Sequence, residues 1–368
     1  MFDYNANLDA LPYLSINRTP NSISRILDIR VDSKYSYKDW SATLRPRFVI
    51  NSTTNQNTKD LFNVTEATLS HLPNGSFSFT VGKQNFEWGP AEFMSWSNPF
   101  VHLNRAAKSF FYKQEGTYLD RLNYAPTKNF NATFIYEIGN KEFKNDREDF
   151  TKGLDYKNKS LLKAEYSFDG STNYIGATVA TGEASSYHTG LYGAYYPKEF
   201  LSFYTDSKIS MNQSYYDMNN WLLIKSNKKN INYLIGTRIE FTDADFRLEY
   251  SHQDIGLKKD EITKALYTSM IMGKADYLLK NGREMLGKDY IYSALRLPNL
   301  SEKNDLTVYL RYLFSLQDNS QSIQTYFEKN YNDHTVLYLE MEKNIGKSTD
   351  ELKLFSSING QVGGKWSY

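Results

Sequence analysis

The sequence contains no cysteine and only 9 prolines among 368 residues. Without cysteine there are no disulfides, no thiolate metal ligands and no cysteine nucleophile. The sequence also has no uninterrupted apolar run of about 18 residues or more, which excludes an ordinary transmembrane helix.

The net charge is close to zero. Lys and Arg number 43, Asp and Glu number 42, and the formal net charge is +1. A nucleic-acid-binding protein usually carries a broad basic surface, so nucleic acid is excluded as an expected partner.

Aromatic residues are abundant by contrast: the chain has 30 Tyr, 22 Phe and 5 Trp. The mean hydropathy is only −0.60. This composition is too polar for a bundle of membrane helices and too aromatic for a disordered chain. A transmembrane β-barrel remains compatible, because its strands alternate polar and apolar residues.

Residues alternate between apolar and polar most clearly in segments 40–50, 130–138, 233–250 and 306–314. Many such runs are about nine to eleven residues long, the length that crosses a bilayer at a tilt. Aromatic residues stand at the ends of the apolar faces, as the interfacial girdles of a barrel require. Polar turns separate successive runs and favour an up-and-down order of strands.

We therefore predict an all-β fold: a closed, antiparallel, up-and-down transmembrane β-barrel of about 16–20 strands. It has one long folded loop and one helical insertion, and residues 1–368 form a single domain. Segment 358–368 alternates and ends in Tyr368, and it resembles the terminal strand of bacterial outer-membrane barrels. The chain begins without a basic and apolar leader, so we expect a mature form whose signal peptide is absent from this sequence.

The charged faces of the predicted strands should line the interior, because an Arg or Lys facing the bilayer midplane costs about 2–4 kcal/mol. Opposite charges on neighbouring strands can pair there. The candidate pore-lining residues are Asp28, Arg30, Asp32, Arg45, Arg47, Glu137, Arg238, Glu240, Asp245, Arg247, Glu249 and Arg311. Two interpretations stay open: the charges only rigidify the wall, or they line a wet channel with little preference for either ion sign.

Two segments interrupt the strand pattern. Residues 87–115 form a long, aromatic connection, and loops of this length are usually functional or disordered. Its candidate loop residues, for glycan contact or for narrowing a pore, are Glu87, Trp88, Trp96, Arg105 and Lys108. Residues 259–282 place apolar side chains at roughly helical spacing, which predicts either a surface helix on its own loop or a partial plug.

Motifs for catalysis and cofactor binding are absent. The sequence has no G-x-S-x-G, H-E-x-x-H, phosphate-binding or dinucleotide-binding motif. Its five histidines are scattered singly, without metal-ligand spacing. We expect no enzyme activity, no cofactor and no metal site.

One segment resembles a known family. The run from Val81–Gln84 through Trp88-Gly89-Pro90 to Ser97–Phe100 is similar to the W-G-P … S-N segment of Wzi-like capsule-assembly barrels. That resemblance implies a surface-polysaccharide role in which Trp88, Trp96, Arg105 and Lys108 contact glycan. Alternatively, the segment folds into the barrel and narrows it, or it packs against the rim as a structural loop.

The leading functional prediction is a porin-like channel in the bacterial outer membrane that passes small polar solutes by diffusion. The alternatives are a Wzi-like polysaccharide-binding barrel and a structural barrel that anchors other envelope proteins. The expected partners are outer-membrane lipid, small polar solutes or surface glycan, and either further copies of the chain or an envelope protein.

Overall fold

The structure is a computed structural model. It describes residues 2–18, 21–53, 56–100, 116–138, 160–168, 172–181, 187–211, 214–217, 222–225, 229–254, 256–264, 285–301, 305–347, 350–354 and 358–367. Statements of absence below refer to these ranges.

Twenty β-strands account for most of the described chain. They are β1 (Phe2–Arg18), β2 (Asn21–Tyr37), β3 (Trp40–Thr53), β4 (Gln56–Asn74), β5 (Phe77–Gln84), β6 (Thr117–Thr127), β7 (Phe130–Glu137), β8 (Ser160–Phe168), β9 (Asn173–Thr181), β10 (Tyr187–Lys198), β11 (Leu201–Met211), β12 (Ser214–Asp217), β13 (Leu222–Lys225), β14 (Asn230–Phe241), β15 (Ala244–Gln253), β16 (Asp289–Leu297), β17 (Leu306–Ser315), β18 (Gln321–Asn332), β19 (Thr335–Ile345) and β20 (Ile358–Ser367).

Eighteen of these strands form one closed sheet, and β12 and β13 form a separate hairpin. Each barrel strand pairs antiparallel with the next barrel strand along the chain, and β11 pairs with β14 across the separate hairpin. The barrel closes where β20 pairs with β1, with Trp366 opposite Ala10. The predicted closed up-and-down barrel is confirmed, and its strand number lies inside the predicted range.

The connections at the two ends of the barrel differ in length. At one end, turns as short as two residues join the strands, as between β2 and β3 and between β14 and β15. Long connections meet at the other end, including residues 85–116 and 254–288. We call these the turn end and the loop end.

Side chains alternate between the two faces of the wall as predicted. On β11 the outward residue Phe203 is exposed, whereas the inward residues Asp206 and Lys208 are buried. The outward faces of Leu191 and Ile235 on the neighbouring strands are likewise apolar and exposed. An apolar outer wall and a polar interior are the arrangement of a membrane barrel.

Helix is scarce in the described residues. Residues 259–264 are helical, and the remainder of the predicted helical insertion, residues 265–282, lies outside the described residues. A short helix that the sequence did not predict, Glu351–Leu354, lies in the connection between β19 and β20. No helix in the described ranges is long and apolar enough to cross a membrane.

Candidate functional site

The connection after β5 turns into the barrel. Its described part, residues 85–100, contacts inward-facing side chains of β9, β11, β15 and β16. Gly89 has a positive φ of 92°, and a Cβ at that position would lie 2.6 Å from an Asp206 carboxylate oxygen. On the facing wall, a Cβ at Gly190 would collide with Ser97. Glycine at both positions therefore permits the close approach of loop and wall. We call residues 87–100 the inner loop.

Asp206 of β11 is the first anchor of the inner loop. Its side chain is fully buried, at 0% exposure. The backbone N–H of Ser97 donates to its Oδ1 at 2.6 Å, and the hydroxyls of Ser95 and Ser97 donate to its Oδ2 at 2.9 and 3.1 Å. Three donors on the loop thus converge on a single carboxylate, and charge-assisted hydrogen bonds of this kind are the strong ones.

Glu249 of β15 is the second anchor, at 1% exposure. The backbone N–H groups of Glu92 and Phe93 donate to its two carboxylate oxygens at 2.7 and 2.8 Å. The hydroxyl of Tyr204 on β11 also donates to Glu249, at 2.7 Å. This carboxylate therefore fixes the loop backbone and ties it to a second strand.

The side chain of Glu92 in the inner loop lies near two arginines of the wall. Its Oε2 lies 3.1 Å from Arg247 Nε, and its Oε1 lies 3.8 Å from Arg311 Nε. The Tyr292 hydroxyl donates to Oε1 at 2.9 Å. A loop carboxylate therefore balances two arginines that face the interior from β15 and β17.

Aromatic side chains of the inner loop fill the space against the wall. Phe93 stacks on Tyr292 with ring centroids 5.4 Å apart, and the Trp96 indole N–H donates to Ser251 at 3.1 Å. These rings belong to an apolar cluster with Leu234 and Leu313. Aromatic stacking and burial therefore add to the carboxylate anchors in holding the loop against the wall.

A second apolar cluster lies under both ends of the inner loop. Phe100 packs with inward-facing Leu119, Ile135 and Leu161, and Trp88 packs against the edge of this group. The Trp88 indole N–H donates to the Ser97 hydroxyl at 3.1 Å. Inward apolar residues on these strands are therefore explained by the loop that covers them.

On β2 and β3 the inner wall carries ion pairs between charged side chains of the wall itself. Asp28, at 0% exposure, accepts from both Arg30 and Arg47. The Arg47 guanidinium is bidentate, with its Nε and Nη2 at 2.9 and 2.8 Å from the two carboxylate oxygens. Two strands thus share one buried carboxylate.

Closer to the turn end, a second group is more open. Arg45 donates to Asp32 at 2.9 Å and also contacts Glu66. The side chains of Asp32 and Arg45 are 43% and 33% exposed. These side chains are therefore accessible from the barrel interior.

A third group lies near the turn end of β14 and β15. Arg238 makes a bidentate contact with Asp245, at 2.9 and 2.7 Å, and lies 3.1 Å from Glu240. Glu137 and Arg311 face inward from β7 and β17 and are buried.

The twelve candidate pore-lining residues all lie on the inward face of the wall, and most of them join the three ion-pair groups or contact the inner loop. Of the loop candidates, Trp88 and Trp96 lie in the interior, and Glu87 accepts a hydrogen bond from Asn85 at 3.0 Å. Arg105 and Lys108 lie outside the described residues, as do residues 101–115 as a whole.

Sequence reasoning missed three residues that hold the loop in place: Tyr204, Asp206 and Glu92. The first two could have been found, because the alternation on β11 points Tyr204, Asp206 and Lys208 to one face. Glu92 carried no such signal, since it lies in an irregular segment.

A cavity of about 580 Å³ opens beside the inner loop toward the turn end. Trp88, Arg121, Asn123, Lys163 and Glu165 are among its lining residues. The Arg121 guanidinium lies 4.5 Å from the Phe86 ring, and Lys163 pairs with Glu165 at 3.0 Å. The lining is polar and of mixed charge, and within the described chain no cluster of His, Asp and Glu is arranged to hold a metal ion.

Comparisons with known proteins place the fold. No family model matches the chain, and no curated protein matches it by sequence. Solved structures do match. The structure of Pseudomonas aeruginosa OccK5 (OpdH) is similar with a TM-score of 0.60 and 9% identity, over 99% of this chain and 98% of that one.

Two further structures from P. aeruginosa agree. OccK2 (OpdF) in complex with glucuronate is similar with a TM-score of 0.62 and 9% identity, over 99% of this chain and 98% of that one. OprD is similar with a TM-score of 0.57 and 10% identity, over 100% of this chain and 95% of that one. These proteins are outer-membrane porins, and at such low identity the likeness concerns the fold.

The resemblance to Wzi-like barrels is not supported, because the similar structures above are OprD/Occ porins. The W-G-P … S-N segment has a different explanation in this chain. Gly89 and the serines at 95 and 97 fit the inner loop onto Asp206.

Proposed function

We propose that this chain is an outer-membrane channel through which small polar solutes diffuse, and that the inner loop is its constriction. The observation that carries the proposal is the docking of the inner loop on the buried carboxylates of Asp206 and Glu249. A loop that is docked on the inner wall reduces the width of the lumen and leaves the rest of the lumen open.

The size of the barrel supports a passage beside the loop. Barrels of about 16–18 strands enclose an aqueous channel, whereas about 8 strands leave room only for side chains. The inner loop contacts the wall from β6 to β11 and from β14 to β17, and the Arg45–Asp32 pair of β2 and β3 remains partly exposed. Solutes would pass between these two surfaces.

The lining chemistry favours polar solutes of modest size. Cations and anions alternate along the open wall, where Arg45 lies beside Asp32 and Lys365 pairs with Asp9 at 3.0 Å. The OccK2 structure holds glucuronate, a small polar solute. By analogy of fold, a solute of that size and polarity is within the range expected here. In this proposal the twelve inward-facing charged residues line the passage or balance the inner loop.

The proposed setting is the bacterial outer membrane, with lipid against the exposed apolar wall. The short turns then face the periplasm and the long connections face outward, as in other barrels of this kind. Residues of the wall need no enzyme chemistry in this role, because selectivity follows from the width and charge of the passage.

Single-channel recording in planar bilayers tests the proposal. The wild-type protein should give discrete conductance steps. A variant in which residues 90–96 are replaced by a Gly-Ser linker of equal length should give larger steps, because the linker lacks the aromatic contacts and Glu92. Replacing the β18–β19 turn residues 333–334 by Asn-Gly provides a matched control that should leave the conductance unchanged.

A wild-type protein that inserts as a folded, heat-modifiable barrel and yet stays silent would overturn the proposal. That outcome would favour a structural barrel instead. Equal conductance in the wild-type and linker variants would retain the channel but remove the constriction role of the inner loop.

A further inference from the structure

The outer wall carries an apolar groove where the barrel closes. A cavity of about 430 Å³ lies on the surface of β20, β1, β2 and β3. Its lining includes Pro12, Leu14, Ile50 and Val362, together with the cation Arg25. Four strands therefore form an apolar groove with the guanidinium of Arg25 beside it.

Arg25 interrupts the apolar outward face of β2. Its register partners are the outward residues Leu14 on β1 and Ser52 on β3. It lies ten residues from Tyr35, an exposed aromatic near the turn end. At about 3.3 Å per residue and a tilt of about 40°, this places Arg25 roughly 25 Å above that aromatic level. The apolar band of such barrels is about 25 Å tall, so Arg25 lies at its upper boundary.

Lys343 occupies a similar level on β19. Its outward neighbours along the strand are the exposed residues Met341 and Ile345. It lies eight residues above Thr335, which pairs with Trp366 near the turn end. The same geometry gives a height of roughly 20 Å. Two strands, β1 and β20, separate Lys343 from Arg25, and the register through Leu14 and Val362 places Lys343 four residues beyond the β19 residue level with Arg25. Three strand spacings and four residue steps put the two Cα positions roughly 20 Å apart.

Neither cation has an ion-pair partner in the described part of the chain. The loop end of β15 and β16, with β16 three strands from β19, differs, because outward Asp289 accepts from Tyr250 at 2.6 Å and from Gln317 at 2.8 Å. His252 also contacts that carboxylate at 2.6 Å. The loop end of β15 and β16 therefore satisfies its own charge, whereas the described residues at the loop end of β19 and β2 present two positive charges above apolar surface.

We propose that this surface binds an anionic lipid of the outer leaflet, with phosphate groups on Arg25 and Lys343 and an acyl chain in the groove beside Arg25. Guanidinium and ammonium groups are preferred phosphate ligands. The long side chains of both residues let their charged groups approach one headgroup that carries two separated phosphates. The inference rests on the outer-membrane location in the proposed function, but it requires no conducting channel.

The test measures lipid retained by the full-length protein. The protein is purified from mixed micelles that contain either diphosphorylated lipid A or its dephosphorylated form, and native mass spectrometry counts lipids per barrel. Three proteins are compared: wild type, the double variant R25Q/K343Q, and K329Q. Lys329 is an exposed outward lysine of β18 near the turn end. Its variant therefore removes one charge at the level of the periplasmic leaflet, away from the proposed lipid site.

We expect the wild type and K329Q to retain diphosphorylated lipid A, and the double variant to retain it roughly tenfold less. Dephosphorylated lipid should be retained weakly by all three proteins. Equal retention by the wild type and the double variant, or no preference of the wild type for the phosphorylated form, would overturn the inference. Conductance recorded on the same samples separates the two proposals, because the double substitution leaves the lumen unchanged.

Discussion

Two buried aspartates on the inner wall have different kinds of hydrogen-bond partner. Asp28 is held by Arg30 and Arg47 of its own wall, whereas Asp206 is held by backbone and hydroxyl donors of the inner loop. Both side chains are 0% exposed. A buried aspartate therefore neutralises arginines of the wall at one position and holds the inner loop by hydrogen bonds at the other. Substitutions can separate these two uses of a buried carboxylate.

The largest effect is expected from releasing the inner loop with D206A and E249A together. The substitutions remove five hydrogen bonds from loop donors and leave buried N–H groups unsatisfied, at about 1–3 kcal/mol each. The inner loop should undock, so that single-channel conductance rises and protease cleaves between residues 87 and 100.

The matched control for loop release is D32A, which removes a carboxylate that pairs with Arg45 of the wall. It should leave the loop protected from protease. If the double variant folds as a barrel and its inner loop stays protected, Asp206 and Glu249 are not the anchors.

A smaller effect is expected for D28A. It leaves the partly buried Arg30 and Arg47 without the buried carboxylate they share, and removing one partner of a buried pair costs about 3–5 kcal/mol. Urea unfolding from lipid vesicles should show the loss, while the conductance of the folded fraction stays near that of wild type. A loss below about 1 kcal/mol would indicate that the two arginines find other partners.

Acidity should modulate the loop-end cap, by which we mean the contact of the helix Glu351–Leu354 with residues 286–290. Glu351 accepts from the backbone N–H of Gly287 at 3.1 Å, from the Tyr290 hydroxyl at 2.7 Å and from the backbone of Leu286. Burial raises the pKa of Glu351 from 4.5 to about 7, although these hydrogen bonds oppose the rise.

The docked cap thus binds the Glu351 proton more tightly than the undocked cap. Its stability should be greatest below about pH 4.5 and should fall as the pH rises toward about 7, with no further loss above that. Hydrogen exchange at the Leu286 and Gly287 amides, corrected for intrinsic rates, measures this stability. E351Q should flatten the pH profile, and an unchanged profile in that variant would assign the effect to another group.

The smallest effect is expected for R45Q in the open half of the wall. Arg45 and Asp32 are partly exposed, so their pairing stabilises the fold by less than about 1 kcal/mol. The substitution leaves Asp32 and Glu66 without their cation, so the reversal potential should shift toward cation selectivity at low salt. A shift toward anions would contradict the assignment of Arg45 to the passage.

Much of the barrel could be predicted from the sequence because alternation is a local property. The period of two placed Arg45 and Arg47 on one face and Phe48 and Ile50 on the other, and the structure keeps that division. The interior charges followed, since lipid excludes them from the outer face.

The path of the inner loop could not be predicted in the same way. Ser97 meets Asp206 across 109 positions of sequence, and Phe93 meets Glu249 across 156. Which wall residues face a loop depends on the summed register of many strand pairs, and no local pattern records that sum. The sequence therefore left open whether residues 87–115 pack inside the barrel, contact glycan or lie on its rim.

The central claim is that the inner loop sets the width of a solute passage, and liposome swelling tests it most directly. Proteoliposomes with wild-type protein should admit a monosaccharide and exclude a trisaccharide, whereas those with D206A/E249A should admit both. An identical size limit for the two proteins, with the inner loop shown by protease to be released in the variant, would contradict the account.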